Sequence, residues 1–431
     1  MPGYVTAGVG TAGTVVRTPY DFLVPRLLAD TRPLQNPDYR RLWWTGIVTV
    51  IGAQLTAVAV PAQIYAITGS SAYVGLTGVF GLVPLVIFGL WGGAIADALD
   101  RRLVIIGTTL GLAGTALMLA LLPDNVWLIL GAFALQQAFF GVNQPTRSAI
   151  YARLVPPEQL PAANSLNMTV MQFGAIAGPM LGAPLIPVIG VHWLYTLDAA
   201  SLMVTLWAVW KLPSIKAEDK GQSLGLSSVI DGFRYLAGHK VLLMSFVVDI
   251  IAMVFGMPRA LFPQIAHENF GDPIEGGWVF GALFAAMSVG AVLGGVLSGW
   301  TSRVARQGLA VIVMIVLWGA AMAGFGVAAH FSWLWAALVL LALGGAADMF
   351  SAAFRTTMLQ EAATDDVRGR LQGVFTVVVA GGPRIGDALH GAAAASAGAA
   401  MAAAGGGVLV IVFTVIAALA VPAFVRYRVT R

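Results

Sequence analysis

The sequence contains no cysteine, which excludes disulfide bridges and thiolate metal sites. Charge is scarce as well: Asp, Glu, Lys and Arg make up 10% of the 431 residues, whereas 58% are hydrophobic. A water-soluble domain of this length needs far more polar surface than that. The five histidines, His192, His239, His267, His330 and His390, are dispersed and give no paired metal-ligand spacing. No GxxxxGK[ST] phosphate loop occurs, so ATP-driven pumping has no motif to rest on. Clustered histidines and carboxylates, which an integral-membrane enzyme needs, are missing too. No enzyme, metal or cofactor is therefore expected. Residues 1–37 are polar and irregular and show no basic–apolar–small cleavage pattern, so no signal peptide is expected.

What remains is apolar length. Hydrophobic stretches recur that exceed the roughly 18 residues needed to cross a hydrocarbon core about 30 Å thick. Twelve spans are expected, at 42–67, 74–97, 103–122, 125–150, 162–187 and 193–211, then 241–265, 276–300, 308–329, 332–357, 371–396 and 404–425. The implied fold is an all-α polytopic membrane protein. Its parts are an N-terminal arm (1–38), a first six-helix half (39–211), a polar linker (212–240), a second half (241–425) and a short tail (426–431). Within the linker, 227–236 reads as a short surface helix.

The net charge of +4 is topological rather than a nucleic-acid stripe, because the loops after spans 1, 3, 5, 7, 9 and 11 hold no Lys or Arg. The N-terminus, the even-numbered loops and Arg426, Arg428 and Arg431 hold nearly all of them. Both termini are thus expected in the cytoplasm, with the chain crossing the cell membrane as a monomer. The one clearly charged outer loop is acidic, with Glu268, Asp272 and Glu275.

An internal repeat supports two halves. The link GGAIADALDRR at 92–102 returns in degraded form as GGVLSGWTSR at 294–303, an offset of 202. Pro61 matches Pro263 at the same offset, Gly178-Pro179 matches Gly382-Pro383 at 204, and Arg147 matches Arg355 at 208. Duplicated six-helix halves joined by a polar linker suit carriers that rock about a midplane site.

The link resembles the loop 2–3 motif of the major facilitator superfamily through Gly93, Asp97, Arg101 and Arg102, although Ala98 stands where the family has a basic residue. That resemblance implies a gate between the halves; a plain basic topogenic loop would need only the positive charge. Gly174, Gly178, Pro179 and Gly182 in span 5 are similar to the antiporter motif of drug-exporting members, or else are ordinary packing residues. VAVPAQIYAITGSSAYVGL, ADALDRRLVI, MPRALFPQIA and TTMLQEAATDDVRGRLQGVF resemble the enterobactin-exporter branch, beside macrolide and multidrug efflux relatives.

Ionisable residues inside spans cost several kcal/mol unless paired or hydrated, and so point to mechanism. Span 7 holds Asp249 and Arg259, span 10 Asp348, and span 11 Arg384 and Asp387. The i, i+3 spacing of Arg384 and Asp387 predicts a pair on one helix face, either a static bridge or part of the cycle. The resemblance puts spans 7 and 10 on the cavity, where Asp249 and Asp348 can share an aqueous site and carry a proton. Gln54 and Gln63 in span 1 and Gln136, Gln137 and Asn143 in span 4 are candidates for a polar cavity lining, with interhelical amide bonding as the alternative. Asp198 in span 6 reads as structural. The expected function is proton-coupled export of a small amphipathic molecule, siderophore-like by the branch resemblance. The alternatives are multidrug or macrolide efflux, a lipid flippase-like carrier, or an integral-membrane enzyme.

Overall fold

A computed structural model describes residues 30–213, 226–362 and 365–428. Most of the N-terminal arm, the centre of the linker and the last three residues of the tail lie outside the described residues. The first half is built from α1 (Pro37–Thr68), α2 (Ser71–Ala98), α3 (Arg101–Leu121), α4 (Val126–Leu154), α5 (Leu160–Ile189) and α6 (Val191–Trp210). A surface helix, α7 (Leu226–Gly238), precedes α8 (Lys240–Phe255), α9 (Trp278–Val296), α10 (Gln307–His330), α11 (Leu334–Ala362), α12 (Asp365–Ala397) and α13 (Ala399–Ala420). These are the twelve long helices of two six-helix halves, plus the short helix expected in the linker.

Helix ends follow local chemistry. The Asn36 carboxamide accepts from the Asp38 and Tyr39 amides and starts α1, while its Nδ2 donates to the Leu154 carbonyl at the end of α4. Ser70, Asp100 and Asn125 cap α2, α3 and α4 in the same way. Gly190 and Gly398, at φ 82° and 79°, turn the chain between α5 and α6 and between α12 and α13. They lie 208 residues apart and adopt one left-handed conformation that suits glycine.

Several spans differ from expectation, and α1 and α12 start earlier, at Pro37 and Asp365. Span 7 is not one helix: α8 stops at Phe255, and Gly256 and Pro258 lead into a 3-10 turn at Arg259–Leu261, a short helical turn and a π turn at Ile265–Asn269. Trp318 fills the space beside Gly256, where any side chain would collide with it. The last span starts earlier, at Ala399, and ends at Ala420, before the Pro422–Val425 turn.

The halves meet along two seams, α2 against α12 and α5 against α9. Close backbone approach needs glycine there. A Cβ on Gly75 would meet the Asp387 carbonyl, and one on Gly281 would meet the Pro179 carbonyl. These contacts lie toward the side opposite the chain termini, where Tyr65 of α1 also donates to Glu268 across the halves at 3.0 Å. On that side Asp272 folds over the start of α9 and accepts from the Phe280 amide at 2.8 Å. Its carboxyl is pushed above the usual carboxylate range by burial, partly offset by that hydrogen bond.

Candidate transport site

Below the Gly75 contact, α2 and α12 part, and a cavity of about 450 Å³ opens between the halves. Leu82, Val83, Val86 and Ile87 form one wall, and Ile250, Val378, Gly381, Gly382 and Ile385 the other. Every lining side chain is aliphatic or absent. The glycines of α12 arise from packing on its far face: a Cβ at Gly382 would strike Met253 of α8.

A charged cluster sits at the end of this cavity. The Arg384 guanidinium lies over Gly81, next in sequence to Leu82, with Nε 3.1 Å from where a Cβ would be. Its Nη2 donates to Oε1 of Gln137 on α4 at 2.7 Å, and its Nη1 donates to the Ala380 carbonyl at 3.1 Å. The expected Arg384–Asp387 bridge is not formed. Arg384 reaches across to the other half, while Asp387 turns toward the Ala260 amide. An i, i+3 spacing permits a pair but does not outweigh a better partner on a facing helix. Arg259 is exposed and makes no hydrogen bond or ion pair among the described residues.

A second cluster lies within the second half, toward the termini. Asp249 of α8 is paired with Arg355 of α11, whose other terminal nitrogen is 3.9 Å from Asp348 on its own helix. Asp249 is 1% exposed, so it does not face a shared aqueous site, whereas the Asp348 side chain is 34% exposed. Arg355, which the sequence reading left out of its site, joins this cluster. Its repeat match to Arg147 and its place in an apolar span were the available signals.

The amide candidates divide. Gln137 belongs to the site through Arg384. Gln63 does not: its Nε2 donates to Asp124 at 2.9 Å and its Oε1 accepts from Tyr195 at 2.8 Å, deep in the first half. Asn143 likewise donates to Thr108 at 2.9 Å and ties α4 to α3. Gln136 is buried and Gln54 lays its stem against Gly178, so neither lines the cavity wall. A polar side chain in an apolar span is satisfied first by the nearest helix, which is why single amides are poor cavity markers. Gly174, Gly178 and Gly182 let α5 pack on Val50, Gln54 and Leu55 of α1, while the Pro179 carbonyl faces Gly281 of α9.

In the loop 2–3 motif, the side chains of Gly93 and Asp97 lie outside the described ones. Arg101 has an interaction partner, and Arg102 donates to the Trp210 carbonyl at 2.5 Å, closing the end of α6 within its own half. Asp198 is 2% exposed and accepts from Thr56 at 2.6 Å, as part of an α1–α6 polar seam with Thr49, Ser201 and Thr205.

Two helical halves, an apolar cavity between them and buried charges along it define a membrane-embedded carrier of small molecules. The family model described as Major Facilitator Superfamily matches residues 42–387, and the chain belongs to that family. It is a multi-pass transporter and not an enzyme. It is 31% identical over 371 residues to the enterobactin exporter EntS of Shigella boydii serotype 18 (strain CDC 3083-94 / BS512), covering 83% of this chain and 85% of that protein. The same figures hold for the enterobactin exporter EntS of Escherichia coli O139:H28 (strain E24377A / ETEC). Among solved structures, the nucleoside transporter NupG superposes with a TM-score of 0.71 at 14% identity, over 91% of this chain and 100% of that one, which shows the shared fold.

Proposed function

We propose that the chain is a secondary active exporter that moves a small amphipathic, siderophore-like molecule out of the cell in exchange for protons. The observation that carries this reading is the cavity itself. Its aliphatic walls suit the apolar part of such a molecule, and Arg259, Arg384 and Gln137 at its end offer hydrogen bonds to the polar part. Its volume of about 450 Å³ lies within the range of small-molecule sites. The likeness to enterobactin exporters supports the substrate class. Asp249, Asp348 and Asp387 supply carboxylates for proton exchange. In this reading the protein works as a monomer in the cell membrane, with both termini and the 92–102 link in the cytoplasm. There Gly93, Asp97, Arg101 and Arg102 act at the gate, and the Gly174–Gly182 stretch of α5 is the antiporter-type hinge.

Deletion of the gene, followed by untargeted comparison of secreted small molecules in iron-replete and iron-starved cultures, tests this. The expected result is loss of an iron-regulated compound from the medium. Unchanged secretion in both media would sink the siderophore reading. A second reading, multidrug or macrolide efflux, is favoured by the absence of any polar side chain on the cavity walls, and an altered drug-sensitivity profile in the same deletion would promote it.

A further inference from the structure

Arg384 is an arginine inside an apolar span with only neutral hydrogen-bond partners. Its Nη1 and Nη2 donate to the Ala380 carbonyl at 3.1 Å and to Oε1 of Gln137 at 2.7 Å. These account for two of the five N–H bonds that a guanidinium carries. Gly81 makes the crossing from α12 to α4 possible. A Cβ there would lie 3.0 Å from Cε1 of Phe133 and 3.1 Å from Nε of Arg384. The guanidinium is thus seated between α2 and α4, at the end of the aliphatic wall that Leu82 begins. Arg259 stands nearby for a different reason. The break at Gly256 and Pro258 ends α8, and the Arg259–Leu261 turn packs against both α12 and α2. Asp387 faces the Ala260 amide and fixes that turn on α12, while the Arg259 side chain stays exposed and unbonded among the described residues.

Two guanidiniums and one carboxylate leave one positive charge in excess at this end of the cavity. Arg259 lies within electrostatic range of both Arg384 and Asp387. Asp348, another carboxylate within its range, is already beside Arg355, at 3.9 Å. Asp387 keeps Oδ1 buried with no partner, so that oxygen bridges to neither arginine. A guanidinium in a membrane interior costs several kcal/mol unless it is paired or hydrated. Neutral carbonyl and amide acceptors relieve part of that cost, and an anion relieves more. The walls carry no charge, so an occupant fits by placing an anionic group at this end and hydrocarbon along the sides.

We propose that Arg259 and Arg384 form the subsite for a single oxyanion of the cargo, such as a carboxylate, and that the cargo is an amphipathic acid. The planar fork of Arg384 suits two carboxylate oxygens, and Arg259 adds a second positive charge from the break. Hydrocarbon of the same molecule lies against Leu82, Val86, Val378 and Ile385. Gln137 is a positioning residue: from the other half, it holds Arg384 away from a bridge with Asp387. A cationic amphiphile meets two guanidiniums here and is rejected, which separates this cargo from basic drugs. The inference rests on the reading of the cavity as the transport site, and it names the chemical class carried there.

The test uses the full-length protein in phosphatidylcholine nanodiscs and two probes of one shape, 2-naphthoate and its neutral amide, 2-naphthamide. Binding is read by isothermal titration calorimetry against protein-free nanodiscs, and needs neither an ion gradient nor the natural cargo. The wild type is expected to bind the acid about tenfold or more tightly than the amide. R384Q is expected to lose about tenfold or more of the acid's affinity, with the amide unaffected. R259Q is expected to lose about threefold, because its charge is exposed and screened, again with the amide unaffected. Q137E gives Arg384 a carboxylate of its own and is expected to weaken the acid as R384Q does, with the guanidinium still present. If R384Q folds poorly, R259Q and Q137E carry the test, since neither removes a buried cation. Equal affinity for the two probes, binding of neither, or equal losses of acid and amide in the variants would overturn the site. Unchanged secretion in the deletion strain bears on export alone, so the two failures are distinguishable.

Discussion

The two halves carry the same arginine and use it differently. In the first half, Arg147 donates from Nε to the Tyr151 hydroxyl at 3.0 Å and lies beside Gly46, where an added Cβ would be 2.9 Å from its Nη2. In the second half, the repeat-related Arg355 meets Asp249 on the helix corresponding to α1, and Asp348 one stripe along α11. The contrast extends beyond this pair. Interhelical polar contacts in the first half are mostly hydroxyl and amide: Thr49 with Thr205, Asn143 with Thr108, and Gln63 with Tyr195. The first half also buries one carboxylate, Asp198, but only the second half holds a buried arginine–carboxylate pair among the described residues, Arg355 with Asp249. One pair of helix starts differs in the same way, with Ser70 at α2 and the Asp272 carboxylate at α9. Hydroxyls fix helix neighbours at little electrostatic cost, whereas ions make the contact responsive to protons. The repeat-related arginine is therefore held by a neutral partner in the first half and by a carboxylate in the second.

The sharpest way to break this contrast is to truncate both arginines. R355A should destabilise the protein by about 3–5 kcal/mol, the cost of leaving a buried carboxylate unpaired. R147A should cost less, about 1.5–3 kcal/mol, because a guanidinium–hydroxyl hydrogen bond is lost but no buried carboxylate is left unpaired. Melting temperatures in detergent give the comparison, and equal losses would remove the asymmetry.

A smaller effect is expected where a first-half amide holds a second-half charge. Gln137 is the first-half group that holds Arg384, and Q137A should cost about 1.5–3 kcal/mol as a hydrogen bond to a charged group disappears. N143A, which breaks a neutral contact, should fall nearer 1 kcal/mol in the same melting assay.

The smallest effect separates the two caps by pH. S70A should lower stability by about 0.5–2 kcal/mol at any pH, since a hydroxyl does not titrate. Asp272 behaves otherwise. Its carboxyl is raised by burial, so its contribution is most favourable when protonated, below the unfolded-state value, and declines as pH rises through the folded-state value. D272N should therefore cost most in acid and least at neutral pH, where it avoids burying a charge while keeping an oxygen for the Phe280 amide. A gap between wild type and D272N that grows with rising pH would contradict the assignment.

Much of the architecture was legible in the chain because bilayer thickness sets helix length and loop charge sets punctuation. The spans beginning near Leu42 and Tyr73 and the short linker helix needed no tertiary information. The break after Phe255 was written as Gly256 and Pro258, yet hydropathy averages over it. The site was only partly legible. Charges within apolar spans announce themselves by residue type, which is how Asp249, Arg259, Asp348, Arg384 and Asp387 became candidates. Their partners were not, because pairing depends on which helix faces which. That is why Arg384 bonds Gln137 rather than Asp387, and why Gln63 and Asn143 proved to be internal ties.

By itself the sequence determined that this protein crosses a membrane twelve times, in two related halves, with few charges inside. Those properties depend on apolar length and residue type, which are additive along the chain. Only the tertiary structure decided that Arg355 stands between two aspartates, that the cavity wall is aliphatic, and that Arg384 spans the halves. Each of these depends on which distant helices face one another, and no local pattern encodes that.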